Sequence, residues 1–182
     1  MSTKNFKVII EIPENIQVML EDSILKVKGP KGETEKKLLN PLVKIEKKDK
    51  KIILSTNKQT KKEKKIINTF RAHIKNLIKG VNKPFIYKLK ICSSHFPITA
   101  TIEKDMLIIK NFMGEKVPRK AVILPNVNVK IDGDIVIVES LNKELAGQTA
   151  ANIEKACKRP GFDSRVFSDG IWMFHKAGKD IK

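Results

Sequence analysis

The sequence predicts an α+β fold written twice: two tandem duplicated domains, each a twisted antiparallel sheet packed against one helix. Three observations predict it. "LEDSILKVKGPKGE", Leu20 to Glu33, returns as "IEKDMLIIKNFMGE", Ile102 to Glu115, and Glu21 and Gly32 keep the spacing of Glu103 and Gly114. "DKKIILS" (Asp49 to Ser55) then lies over "DGDIVIV" (Asp132 to Val138), and "NKQ" at Asn57 over "NKE" at Asn142, in the same order with a small drift. Each copy also alternates apolar and polar residues before switching to a helical period. Loop insertions produce such drift, and two long copies are too few for a solenoid. Duplicated domains at 1–82 and 83–182 follow.

The elements read in the same order in both copies. "ILKVK" sets Leu25 and Val27 against Lys26 and Lys28, the period of a half-buried strand. "GPKG" turns the chain and "ETEKKL" begins the return strand; in the second copy Leu107 and Ile109 point inward and "NFMG" takes the turn. Glycine and asparagine tolerate positive φ, so Gly29 or Asn111 is expected to open the turn and Gly32 or Gly114 to close it. "VKIEKKDKKIILS" and "VKIDGDIVIVES" each give a second strand pair around a tight turn. A helix ends each copy. Thr60 and Glu63 form a capping-box pattern, Ile67, Phe70, Ile74 and Leu77 make an inner stripe, and Gly80 is the expected terminator. In the second copy Asn142 caps a helix with Leu145, Ala146, Thr149, Ile153 and Ala156 inside, and "RPG" from Arg159 stops it. Those smaller side chains should let this helix lie closer to its sheet. "PFIYKLKICSSHFPI" and the tail "KRPGFDSRVFSDGIWMFHKAGKD" are read as segments without counterparts in the first copy.

Charge narrows the partner class. The 182 residues carry 37 Lys+Arg against 20 Asp+Glu, a formal net charge of +17. Such an excess costs self-repulsion unless a polyanion neutralises it. Nucleic acid leads among polyanions, and an anionic membrane follows. The only arginines are Arg71, Arg119, Arg159 and Arg165. Lysine suits phosphates and arginine suits bidentate base reading, so backbone and shape recognition are expected over a base code. Cys92 and Cys157 stand far apart with no CxxC, which indicates neither a zinc site nor a disulfide framework. "MSTKNFKVIIEIP" has neither the apolar core of a signal peptide nor the arginine-rich character of a transit peptide, which leaves the cytosol as the expected compartment.

Catalysis lacks a constellation. His73 edges a helix, and Ser94 and His95 are neighbours along an extended segment, so they should point to opposite faces. His175 has no evident carboxylate partner in the sequence, and no phosphate-cradling glycine fingerprint or metal-ligand spacing occurs. "GPKG" matches the GxxG of an RNA-clamping loop, but that loop joins helices and this one joins strands. With 5% aromatic residues, most among apolar neighbours, base stacking is disfavoured. The first copy holds more net charge, whereas the second adds a tail mixing Arg159, Arg165, Lys176 and Lys179 with Phe167, Trp172 and Phe174. Cations fixed on a braced strand are preorganised for a ligand, so the later copy is expected to grip and the earlier one to brace.

"IPENIQVMLEDSILKVKGPKGE", "HIKNLIKGVNKPFIYKLKICSSHFPI", "NFMGEKVPRKAVILP" and "RVFSDGIW" together resemble the universal ribosomal large-subunit protein six family, called large-subunit protein nine in eukaryotic naming. The resemblance runs from about Ile12 to Gly178 and is nearest the archaeal and eukaryotic branch. Its C-terminal signature, R-x-F-x-D-G-aliphatic-aromatic, reads here as Arg165, Phe167, Asp169, Gly170, Ile171 and Trp172, with Trp172 replacing Phe or Tyr as a buried aromatic. The resemblance implies a duplicated α+β fold, no catalysis and no cofactor. It implies contact with large-subunit rRNA near the sarcin–ricin region and stalk base, where translation factors dock, and with neighbouring stalk-base proteins. Carried onto this sequence, the implied rRNA-binding residues are Lys110, Lys116, Arg119 and Lys120, then Lys158, Arg159, Arg165, Lys176 and Lys179, with Lys88 and Lys90 further candidates. Asp169 and Gly170 are expected to shape a turn. Cytoplasmic residence on the ribosome follows, with nucleolar passage if the source is eukaryotic. The competing readings are a membrane-surface or partner-binding module using the basic helix from Thr60 to Lys79, and an RNA chaperone outside the ribosome.

Overall fold

A computed structural model describes residues 6–163 and 165–181. The chain divides into two compact units, Met1–Pro84 and Phe85–Lys182. The first contains β1 (Phe6–Glu11), β2 (Gln17–Glu21), β3 (Ile24–Gly29), β4 (Gly32–Lys37), β5 (Lys44–Lys48), β6 (Lys51–Thr56) and α1 (Lys61–Asn82). The second contains β7 (Phe85–Cys92), β8 (Thr99–Glu103), β9 (Met106–Lys110), a 3-10 turn (Phe112–Gly114), β10 (Arg119–Val122), β11 (Asn128–Asp132), β12 (Ile135–Ser140), α2 (Lys143–Ala156), β13 (Gly170–Lys176) and β14 (Lys179–Asp180).

The α+β class with antiparallel sheets in two repeated halves is present, and each half distributes its strands over two sheets. These are β1-β6-β5 and β2-β3-β4 in the first unit, β11-β12-β7-β13-β14 and β10-β9-β8 in the second. Alternation reveals which face of a strand is buried, but not which strands pair. The pairing shows how the second unit was elaborated. β7 pairs with β12 as β1 pairs with β6, so the leading strand of the second copy does have a counterpart. Among the described residues the additional strands are β13, laid along the other edge of β7, and β14, which pairs with β13. β1, "FKVIIE", shares the burial period of β7 and little of its wording, which is why the equivalence was not visible in sequence.

In the first unit α1 buries Ile67, Phe70, Ile74, Leu77, Ile78 and Val81 against a core that includes Leu25, Val27, Ile52 and Leu54. Two terminal expectations change. Thr60 occupies the N-cap position, but its side chain makes no capping bond, and Glu63 turns inward and is buried. Gly80 lies inside the helix, which continues to Asn82. The last turn survives because Val81 packs onto the β3–β4 turn: its carbonyl accepts from the Lys31 N–H at 3.1 Å. A Cβ on Gly29 would come within 2.8 Å of Val81 Cγ2. Gly29 is therefore required by close approach; positive φ falls on Gly32, Asn111 and Gly114. Pro84 then biases Lys83 to extended backbone (φ −141°, ψ 119°) and the helix stops.

In the second unit α2 begins at Asn142, whose side chain accepts from the Glu144 N–H at 2.9 Å. Ala146, Thr149, Ala150 and Ile153 form its buried stripe, with Leu145 and Ala156 half-buried. An added Cβ on Gly147 would sit 3.1 Å from the Tyr87 hydroxyl, so the small residues do bring helix and sheet into close contact. The helix ends at Ala156, before the Arg159-Pro160-Gly161 signal.

Candidate nucleic-acid interface

Three loops leave the second unit at one end. Gly170 at the start of β13 pairs with Cys92 at the end of β7, so the residues that follow Cys92 and those that precede Gly170 emerge side by side. Arg119 at the start of β10 pairs with Ile109 near the end of β9, which places the 111–118 loop between those strands. Side-chain ties join all three.

Asp169 makes the first tie. Its buried carboxylate accepts from the Ser94 N–H at 2.7 Å, the His95 N–H at 3.0 Å and His95 Nδ1 at 2.6 Å. Burial alone would raise the Asp169 pKa; the hydrogen bonds from His95 and Ser94 outweigh it and hold the carboxyl below its ordinary value. His95 stacks on Phe167 at 5.5 Å between centroids, and Phe162 meets Phe167 edge-on at 4.9 Å. Ser94 Oγ shares its hydrogen bond with Ser168 Oγ at 2.9 Å. Serine, histidine and aspartate are thus adjacent but arranged as a loop clamp.

Arg119 makes the second tie. Its Nε and Nη2 donate to the two Glu115 carboxylate oxygens at 2.7 and 2.6 Å. Nη1 donates to the carbonyls of Ala156 (2.9 Å) and Lys158 (3.1 Å), and the guanidinium lies 4.3 Å over the Phe112 ring. The Ala156 carbonyl is one of the unpaired acceptors that a helix C-terminus leaves behind, the Lys158 carbonyl lies just beyond the C-cap, and a cation there also meets the negative end of the helix dipole. The hydrogen bond from Arg119 holds Glu115 below the usual carboxylate pKa.

Smaller contacts complete the frame. Asn111 Nδ2 donates to the Pro97 carbonyl at 3.1 Å, and the Phe96 ring lies over Gly114, 3.4 Å from where a Cβ would stand. Arg159 packs 4.1 Å over the Phe162 ring and reaches Met113 Sδ at 3.6 Å.

The eleven candidates from sequence separate into groups on this frame. Lys110, Lys116, Lys120, Lys158, Arg159 and Arg165 are exposed on or beside the three loops. Arg165 pairs only at the surface with Asp163, its side chain 89% exposed. Arg119 is only 22% exposed and its donors are already engaged. Lys176 and Lys179 pair with each other at the far end of β13, about 20 Å from Gly170 at the usual strand rise. Lys88 and Lys90 lie on the sheet face turned away from α2, opposite in sense to buried Tyr87 and Leu89. Sequence reasoning missed the apolar and aromatic part of this end: Phe96, Val117, Phe162 and Val166 are all exposed. "HFP" and "PGF" carry the pattern of aromatics in proline-marked loops, the one signal that pointed to them. Trp172 is corrected too. It was expected to be buried, and its residue is 36% exposed.

These features define a class: a basic, duplicated α+β protein whose second unit presents a cationic loop end held by side-chain ties. The comparisons with known proteins bear on the duplicated fold and give the family. The chain matches the family described as Ribosomal protein L6 over residues 12–83 and 96–170, one match in each half. It is 48% identical over 180 residues to the Large ribosomal subunit protein uL6 of Nanoarchaeum equitans (strain Kin4-M), covering 94% of each chain. It is 43% identical over 170 residues to the protein of that name from Methanococcus vannielii, covering 93% of each. This chain belongs to the ribosomal protein L6 family, on its archaeal side.

Proposed function

We propose that this chain is a structural constituent of the large ribosomal subunit, and that the loop end of its second unit grips large-subunit rRNA near the sarcin–ricin region and stalk base. In this reading it supports the surface where translation factors dock, alongside stalk-base proteins, and the first unit braces. It lives on cytoplasmic ribosomes; the relatives described above are archaeal, which removes the ground for nucleolar passage. The observation that carries the reading is the combination of Lys116, Lys158 and Arg159 exposed on loops that Asp169 and Arg119 already hold in shape. Cations on an ordered frame displace condensed counterions from RNA without an ordering cost at binding. Arg119 acts within that frame as a brace; Lys110, Lys120 and Arg165 complete the contact set. Lys88 and Lys90 lie outside this loop end, and so do Lys176 and Lys179.

The membrane-surface alternative meets a physical obstacle. The apolar stripe of α1, Ile67 to Val81, is buried in the first unit's own core, so only its lysine face is offered outward. A helix lies in a membrane by burying that apolar face, which here is already occupied. Sedimentation tests the reading: the chain should co-migrate with large subunits on sucrose gradients and be released by high salt. Migration at the top of the gradient in low salt would contradict it.

A further inference from the structure

Trp172 of β13 holds its ring partly in solvent, 36% exposed. In β13 it pairs with Lys90 of β7, so both side chains emerge on the sheet face away from α2. Gly170, two residues earlier on the same face, has no side chain and a φ of +151°. A Cβ there would lie 3.2 Å from both Cε2 and Nε1 of the indole and 3.3 Å from Cζ2. Near-equal distances to three adjoining ring atoms mean that one face of the indole rests on this backbone. Nε1 donates to the Ser168 carbonyl at 2.8 Å, which fixes the ring's rotation. The ring therefore lies against the sheet, its polar edge satisfied, and its exposed third is the outward side.

Its surroundings choose among occupants. Lys90 is the direct cross-strand neighbour, Lys88 follows on the same face, and Lys130 of β11 reaches that face through its pairing with Ile137. Asp132, in the same cross-strand row as Trp172, stands three strands away, about 14 Å at normal strand spacing, and Asp180, two strands from Lys88, is engaged by His175 Nδ1 at 2.6 Å. A flat π-surface bordered by lysines matches an unpaired nucleotide, with the base on the ring and the phosphate beside the ammonium groups. A protein partner would more usefully meet an unsatisfied indole N–H, and this one is satisfied.

We propose that Trp172 is a stacking platform for an extruded, unpaired RNA base, with Lys90 and Lys88 holding the adjoining phosphates. The proposal rests on the RNA-binding reading above and adds a single-stranded contact to it, on a face distinct from the loop end. Stacking is the mode that aromatic content argued against; what matters is the one ring that the glycine exposes.

The sequence has one tryptophan, so its emission reports this site alone. The full chain is titrated at low salt with an oligoadenylate of about twelve nucleotides, and separately with an RNA duplex of about the same length. The oligoadenylate is expected to quench Trp172 and shield it from acrylamide, whereas the duplex binds without quenching. Trp172→Ala should weaken oligoadenylate binding by about five- to a hundredfold and leave the duplex unaffected, while Trp172→Phe keeps most of the affinity. Quenching in the intact chain is read without any variant, so a misfolded Trp172→Ala protein does not block the test. Duplex binding combined with an unquenched tryptophan in oligoadenylate overturns the proposal alone. Failure to bind either RNA overturns it together with the RNA-binding reading.

Discussion

Replacing Arg119 with alanine separates a residue that shapes the interface from one that touches RNA. The guanidinium makes two charge-assisted bonds to Glu115, two to the carbonyls of Ala156 and Lys158, and a cation–π contact with Phe112. Hydrogen bonds to charged groups contribute about 1.5–3 kcal/mol each, and bonds that share one side chain are not additive. Arg119 and Glu115 remain 22% and 32% exposed, so water takes over part of the loss. A net destabilisation of about 2–3 kcal/mol follows, enough to lower the melting temperature of a unit of this size by about 10 °C. Differential scanning calorimetry measures that shift. RNA titrations over a salt series measure the other half of the claim. Each phosphate contact adds about 0.7–0.9 to the slope of log affinity against log salt. Arg119→Ala should weaken binding through a loosened Lys158–Arg159 segment while leaving this slope nearly unchanged. Arg119→Lys keeps the charge but not the fork, and should recover little stability. A variant with wild-type stability and a slope lower by about one unit would refute the bracing role and make Arg119 a direct phosphate ligand.

Other consequences follow from the same contacts. Asp169 has its pKa lowered by folding, so its stabilising effect is complete above the unfolded value of 3.8 and is lost as pH falls through the lower folded value. Asp169→Asn should reduce stability at neutral pH and flatten the pH dependence of unfolding in that acid window; an unchanged profile would remove Asp169 from the clamp. Gly29→Ala forces a methyl group to within 2.8 Å of Val81 Cγ2 and should destabilise the first unit by about 1–3 kcal/mol by calorimetry. Cys157 is buried, and desolvation pushes its thiol pKa up to about 11, whereas Cys92 is half-exposed. Iodoacetamide at neutral pH should therefore modify Cys92 first and reach Cys157 only on unfolding, as peptide mass mapping would show.

Much of the fold was legible because repetition and alternation are properties of the chain itself. The two copies, their strand hairpins and both helices follow from period and from turn residues such as Gly32, Asn111 and Asn142. Harder to read was anything decided between segments distant in sequence. Gly80 looks like a helix terminator until Val81 is seen to have a place on the β3–β4 turn. Thr60 and Glu63 satisfy a capping pattern, yet Thr60 makes no capping bond and Glu63 turns inward. In the candidate site, Lys116, Lys158 and Arg159 were identifiable as cations, but charge alone does not distinguish an open lysine from a committed arginine. Arg119 belongs to the second kind because the carbonyls at the end of α2 lie beside it. Trp172 read as buried because the family signature it resembles has an aromatic at that place; Gly170, by lacking a side chain, is what lets it lie on an outward face.

The most direct test compares two charge reversals by affinity for large-subunit rRNA: Lys158→Glu with Arg159→Glu in the loop end, and Lys61→Glu with Lys62→Glu at the start of α1. All four side chains are exposed, so neither pair should unfold the chain. The loop-end pair is predicted to weaken binding by at least about tenfold and to lower the salt slope by about 1.5–2 units, with the α1 pair close to wild type. Equal losses from the two pairs, or a larger loss from the α1 pair, would contradict the assignment of the grip to the second unit.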